Sequence, residues 1–174
     1  GQTTLDLSQT TRDIGIAALS LNSDDGWYTD QPVWLIENQA PFDRTDWFPA
    51  TEPSASLIYY AGQIPAKLLD WLAIHPRTSD LVLFPDYDGV GLSNFWRLYE
   101  KLEGRCRLWL MPDWRNKLTR YGNAKLWQKT RQDFDLAFSR ISSCPFDPAL
   151  SDTLELMFAM QEKGLALEQE SVWI

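Results

Sequence analysis

Hydrophobic positions along the chain fall into two rhythms. Four short, mostly apolar runs occur at 33–36 (VWLI), 57–60 (LIYY), 81–84 (LVLF) and 106–111 (CRLWLM). Runs of this length bounded by turn formers read as strands, and continuous ones as strands buried on both faces. Between them the spacing turns helical. Leu68, Leu69 and Leu72 line one face of 65–74, with Pro65 suited to the first turn and a stop at His75 before Pro76. Phe95, Leu98, Tyr99 and Leu102 form the stripe of a helix over 92–102, with Ser93 as its expected cap and Gly104 as its stop. A short helix is expected in the irregular stretch between the first strand and Pro49.

From Asp113 onward the pattern is helical. Two helices are expected, interrupted at 121–123, the second running to about residue 140. Ser151 opens another, ended by Gly164, and the tail 165–174 is expected to dock as a strand or extended arm. Strands that alternate with helices imply an α/β fold: a Rossmann-like, four-stranded parallel sheet flanked by helices, with a helical C-terminal extension. Residues 32–174 are expected to form this domain, and 1–31 an N-terminal extension of the kind that ends a preceding domain.

Charge adds the chemistry. The third strand runs into Asp86-Tyr87-Asp88-Gly89-Val90-Gly91, and the first ends on Glu37-Asn38. In open α/β sheets ligands sit beyond the carboxyl ends of the strands. Asp86 and Asp88 are two residues apart, which in extended chain sets their α-carbons roughly 6–7 Å apart on one side. Such a pair suits Mg²⁺, which takes one or two carboxylates together with phosphate oxygens. Glu37, from a neighbouring strand end, adds a third acid to ligate the ion or move a proton. The glycines admit a close approach by backbone or phosphate. The same residues have a plainer reading, in which Asp-Gly is a turn and the acid caps the next helix.

The 174-residue chain is 44% hydrophobic with nine tryptophans, enough for one well-filled core. No apolar run approaches the roughly 18 residues that span a bilayer, and no signal peptide is evident. Cys106 and Cys144 are far apart and form no CxxC, which fits free thiols in a reducing compartment, the cytoplasm. A net charge of −8 argues against non-specific nucleic-acid binding, yet ten of the 16 Lys and Arg fall between Arg97 and Arg131. Arg115, Lys117, Arg120, Lys125 and Lys129, interleaved with Trp114, Tyr121 and Trp127, are candidates to track a DNA backbone. The alternative is a solvated helix face over core tryptophans. His75, the one histidine, sits at a helix end, which disfavours a histidine nuclease or a triad hydrolase. No G-x-x-x-x-G-K-[ST] is present, so a P-loop is excluded.

A glutamate after the first strand and D-x-D-x-x-G after the third resemble the Toprim domain of topoisomerases, primases and related nucleases. The likeness is to the topoisomerase VI A-subunit lineage, nearest the C-terminal domain of the Wadjet anti-plasmid protein JetD. Glu37-Asn38 with Phe42 after it, the turn at Gly62 and Leu167-Glu168-Gln169-Glu170 support it, so it covers roughly residues 33–170. The resemblance implies Mg²⁺ or Mn²⁺ held by Asp86 and Asp88, with Glu37 as ligand or general acid/base. Glu168 and Glu170 would complete the site or form a solvated acidic tail. It implies phosphodiester chemistry on DNA within a larger protein or complex, with no membrane. The winged-helix tyrosine of the topoisomerase relatives has no counterpart here, which favours hydrolysis by metal-activated water. The other expectations are a non-catalytic module for DNA or partners, and a Mg²⁺-dependent phosphotransferase or phosphohydrolase acting on nucleotides.

Overall fold

A computed structural model describes residues 11–12, 21, 26–52, 54–144 and 147–174. Strand β1 spans Val33–Ile36 and helix α1 Gln39–Asp43; β2 spans Ser56–Tyr59 and α2 Ala66–Ile74. They are followed by β3 at Leu81–Phe84, α3 at Gly89–Lys101 and the short β4 at Arg107–Leu108. Three further helices follow: α4 Trp114–Tyr121, α5 Ala124–Ser142 and α6 Ser151–Lys163. A 3₁₀ turn at Pro148–Leu150 precedes α6, and another at Gln169–Trp173 closes the tail.

The sheet is parallel throughout, in the order β2-β1-β3-β4. The fold is thus the α/β, Rossmann-like sheet that the alternation implied. β1 and β3 lie side by side at its centre and are buried along their whole length, as their unbroken apolar sequence requires. In register, Trp34 faces Val82 and Ile36 faces Phe84, so Trp34 and Phe84 share one side of the sheet. There they join Trp47 and Trp109 in a network of ring contacts with centroids 4.6–5.8 Å apart. Most of the tryptophans are therefore core.

Two expectations shift. Helix α3 starts at Gly89 rather than Leu92, because Asp88 and not Ser93 caps it: the Gly91 N–H donates to Asp88 Oδ1 at 2.8 Å. β4 is two residues long rather than six. The Trp109 N–H still donates to the Leu83 carbonyl at 2.9 Å, after which the chain leaves the sheet toward Pro112. The reading of 1–31 as an extension falls largely outside the described residues, although Trp27 stacks on Trp71 of α2. No helix among the described residues is long and apolar enough to cross a membrane.

The tail is bound by backbone pairing. Asn123 bridges Ala166, and Tyr87 bridges Leu167 with both hydrogen bonds formed, at 2.8 and 2.9 Å. This pairing carries Glu168, Gln169 and Glu170 to the ends of β1 and β3.

Candidate functional site

The connection from β1 leads to β2 on one side, and β3 leads to β4 on the other. The gap between the carboxyl ends of β1 and β3 is therefore the switch point, where this architecture opens a crevice. Glu37 leaves β1 there, and Asp86 and Asp88 leave β3. The Asp86 backbone N–H donates to Glu37 Oε2 at 3.2 Å, and the buried Tyr60 hydroxyl donates to the same oxygen at 3.2 Å.

Each acid is placed differently. Glu37 is 6% exposed and Asp88 5%, so both lie beneath the surface. Asp86 opens onto a cleft of about 720 Å³ lined by Asn38, Gln39, Asp86, Tyr121, Glu168 and Glu170, among others. Asn38 occupies the N-cap position of α1 but does not cap it. Its side-chain amide donates instead to Asp86 Oδ1 at 2.9 Å and to Glu170 Oε2 at 3.2 Å. One neutral donor thus bridges two carboxylates that lie 84 residues apart in the chain, one after β3 and one in the tail.

Gln169 locks this arrangement. It is wholly buried. Its side-chain carbonyl accepts the Asn38 N–H at 2.9 Å, its amide donates to the Phe84 carbonyl at 2.5 Å, and its backbone N–H donates to Asp86 Oδ1 at 2.7 Å. Asn38, Tyr60 and Gln169 were missed as site residues in the sequence. The one available signal was the flanking of Gln169 by two glutamates.

Electrostatics follow from crowding acids away from water. Burial, then the charges of Asp86 and Asp88, push Glu37 up to about 8. Burial pushes Asp86 up to about 7; the Gln169 N–H opposes this, and Asp88, Glu170 and Glu168 add to it. Asp88 is also raised by burial, against the N–H groups of Gly91 and Val90, with Asp133 raising and Lys129 lowering it.

Among the described residues, no group of three or more His, Cys, Asp or Glu is arranged to hold a metal ion. The oxygen-only donors crowd charge together without forming a closed cage. That suits a hard cation taking one or two carboxylates and filling its shell with water or phosphate, the habit of Mg²⁺.

The glycines of the motif serve packing rather than a ligand. A Cβ on Gly89 would lie 1.9 Å from the Thr130 carbonyl oxygen of α5, and one on Gly91 2.0 Å from the Asp86 carbonyl oxygen. The helix pair α3 and α5 therefore meets through Gly89.

The proposed cations separate into two groups. Lys117 is turned inward, 8% exposed, and its ammonium donates to the Val172 carbonyl at 3.1 Å. It braces the tail, and a phosphate cannot meet it as a free surface charge. Arg115 pairs with Glu155 and lies over the Trp114 ring. Arg120, Lys125 and Lys129 are exposed. Trp114 and Trp127 are buried, whereas Tyr121 is 48% exposed.

No curated protein matches this chain, and no solved structure matches it. Residues 3–173 match the family model described as a domain of unknown function (DUF7281), and the chain belongs to that family.

Proposed function

We propose that this chain is a Mg²⁺-dependent, Toprim-like nuclease module that cuts or nicks DNA as part of a larger assembly, in defence against plasmids or phage. The observation that carries this reading is the meeting of Glu37, Asp86 and Asp88 at the switch point, with Glu37 and Asp86 raised to about 8 and 7. Crowded carboxyls with raised pKa in a crevice favour a cation that would relieve them. Asp86 and Asp88 would hold the ion, with Glu168 and Glu170 adding charge from the tail. Bound there, Mg²⁺ or Mn²⁺ would polarise a phosphate oxygen and lower the pKa of a water. Glu37 would hold or hand over a proton at Oε1, since Oε2 already accepts two hydrogen bonds. The free thiols of Cys106 and Cys144 support a cytoplasmic setting.

A second reading, a non-catalytic module that binds DNA or a partner, is favoured by how fully the acids are already engaged. Asp88 Oδ1 caps α3, and Asp86 Oδ1 accepts two donors. Two measurements decide between the readings. Supercoiled plasmid incubated with the protein and Mg²⁺ or Mn²⁺ should become nicked or linear. Calorimetric titration of Mg²⁺ should show binding that Asp86→Asn loses. Intact plasmid, with no heat of Mg²⁺ binding, would leave the second reading standing.

A further inference from the structure

The cleft beside Asp86 has one wall that the acids do not explain. Tyr121, the last residue of α4, lines it and is about half exposed, without any ring partner among the described aromatic contacts. The other exposed aromatics lie elsewhere; Tyr59, for example, packs on Phe42 at 5.7 Å.

The corner that presents this ring is rigid. A Cβ on Gly122 would lie 2.3 Å from the Leu118 carbonyl oxygen and 2.9 Å from Leu165. Asn123 pairs with Ala166 through the backbone, at 2.7 and 3.3 Å. Its side-chain oxygen also caps α5 by accepting the N–H groups of Lys125 and Leu126, each at 3.0 Å. Arg120 precedes the ring and Lys125 follows it, both exposed and in no ion pair among the described residues.

An exposed aromatic face on a fixed corner, with exposed cations shortly before and after it in the chain, suits unpaired bases and the phosphates between them. The cleft is also lined by Asn38, Gln39 and Ser171. The Asn38 side-chain N–H groups already serve Asp86 and Glu170, and the Gln39 amide serves Asp43 at 3.1 Å, so the two side-chain carbonyls and the Ser171 hydroxyl remain to meet a base edge. A recess of about 720 Å³ suits one or two nucleotides rather than the width of a duplex. A base inside a duplex keeps both faces stacked, so it cannot offer one to Tyr121.

We infer that Tyr121 stacks an unpaired base of single-stranded DNA, with Arg120 and Lys125 on the adjoining phosphates, and so places that strand at Asp86. This rests on the nuclease reading for the purpose of the contact, and it narrows the substrate to strands with an unpaired stretch.

The test is fluorescence anisotropy of the full chain with a labelled oligothymidylate and with a hairpin duplex, Ca²⁺ replacing Mg²⁺ so that binding is read without cleavage. The oligothymidylate should bind more tightly than the duplex. Tyr121→Ala should weaken it roughly tenfold, in line with one lost stacking contact, and Tyr121→Phe should retain it. Equal binding of both DNAs, no binding of either, or wild-type affinity in Tyr121→Ala would overturn the inference. Oligothymidylate binding that depends on Tyr121, together with intact plasmid and uncut oligothymidylate when Mg²⁺ is supplied, would sink the nuclease reading and keep the stacking site.

Discussion

The side-chain carbonyl of Gln169 accepts the backbone N–H of Asn38 at 2.9 Å, across 131 residues of chain. With its amide on the Phe84 carbonyl, the same side chain ties together the ends of the two central strands. The switch-point crevice is therefore closed from behind by the C-terminal tail. Gln169→Leu, which keeps the volume and removes the bonds, would leave the Asn38 N–H and the Phe84 carbonyl unpaired. We expect a loss of about 2–5 kcal/mol, read by urea denaturation, and faster amide exchange at Asn38. Wild-type stability in this variant would show that the clasp is dispensable.

Stability should depend on pH in a defined direction. A carboxyl whose pKa is raised by folding binds its proton more tightly in the native chain, so stability falls as pH rises from the unfolded value to the folded one. The windows run from 4.5 to about 8 for Glu37 and from 3.8 to about 7 for Asp86. The Tm should accordingly be higher near pH 5 than near pH 8. Glu37→Gln should flatten that slope, and added Mg²⁺ should recover part of the loss at the alkaline end. A Tm that climbs between these pH values would contradict the assignment.

Asp88 has two separable duties. As the cap of α3 it is replaceable by Asn, whereas Ala removes the acceptor for the Gly91 N–H. Asp88→Ala should cost about 0.5–2 kcal/mol. Asp88→Asn should fold at least as stably as wild type, because it also removes a charge that raises Glu37. Any metal-dependent cleavage should disappear in both variants. Cleavage that survives in Asp88→Asn would reduce Asp88 to a helix cap.

Gly89 should tolerate nothing larger. Its added Cβ would meet the Thr130 oxygen at 1.9 Å and the Phe134 nitrogen at 2.6 Å, both backbone atoms that cannot step aside. Gly89→Ala should cost about 3 kcal/mol or fail to fold. Gly26→Ala, where nothing lies within 4 Å, should stay within about 0.5 kcal/mol of wild type. Comparing the two by thermal melts checks the close contact of α3 and α5.

What the chain declares locally proved legible. Runs such as LVLF and stripes such as Phe95, Leu98, Tyr99 and Leu102 name their elements, because burial on two faces or on one is written in the spacing. Their alternation implied the parallel sheet, and with it the rim on which Glu37, Asp86 and Asp88 emerge. Distance along the chain hid the rest. That Lys117 faces inward to Val172 while Arg120 faces out depends on which side of α4 finds a neighbour. That Gly89 answers to Thr130 rather than to a phosphate depends on where α5 lies. Gln169 gains its role only when backbone pairing at Tyr87 and Leu167 sets the tail against the strand ends. Hydrogen bonds and close contacts between remote segments form only after the fold has brought them within a few ångströms, and no local pattern encodes that meeting.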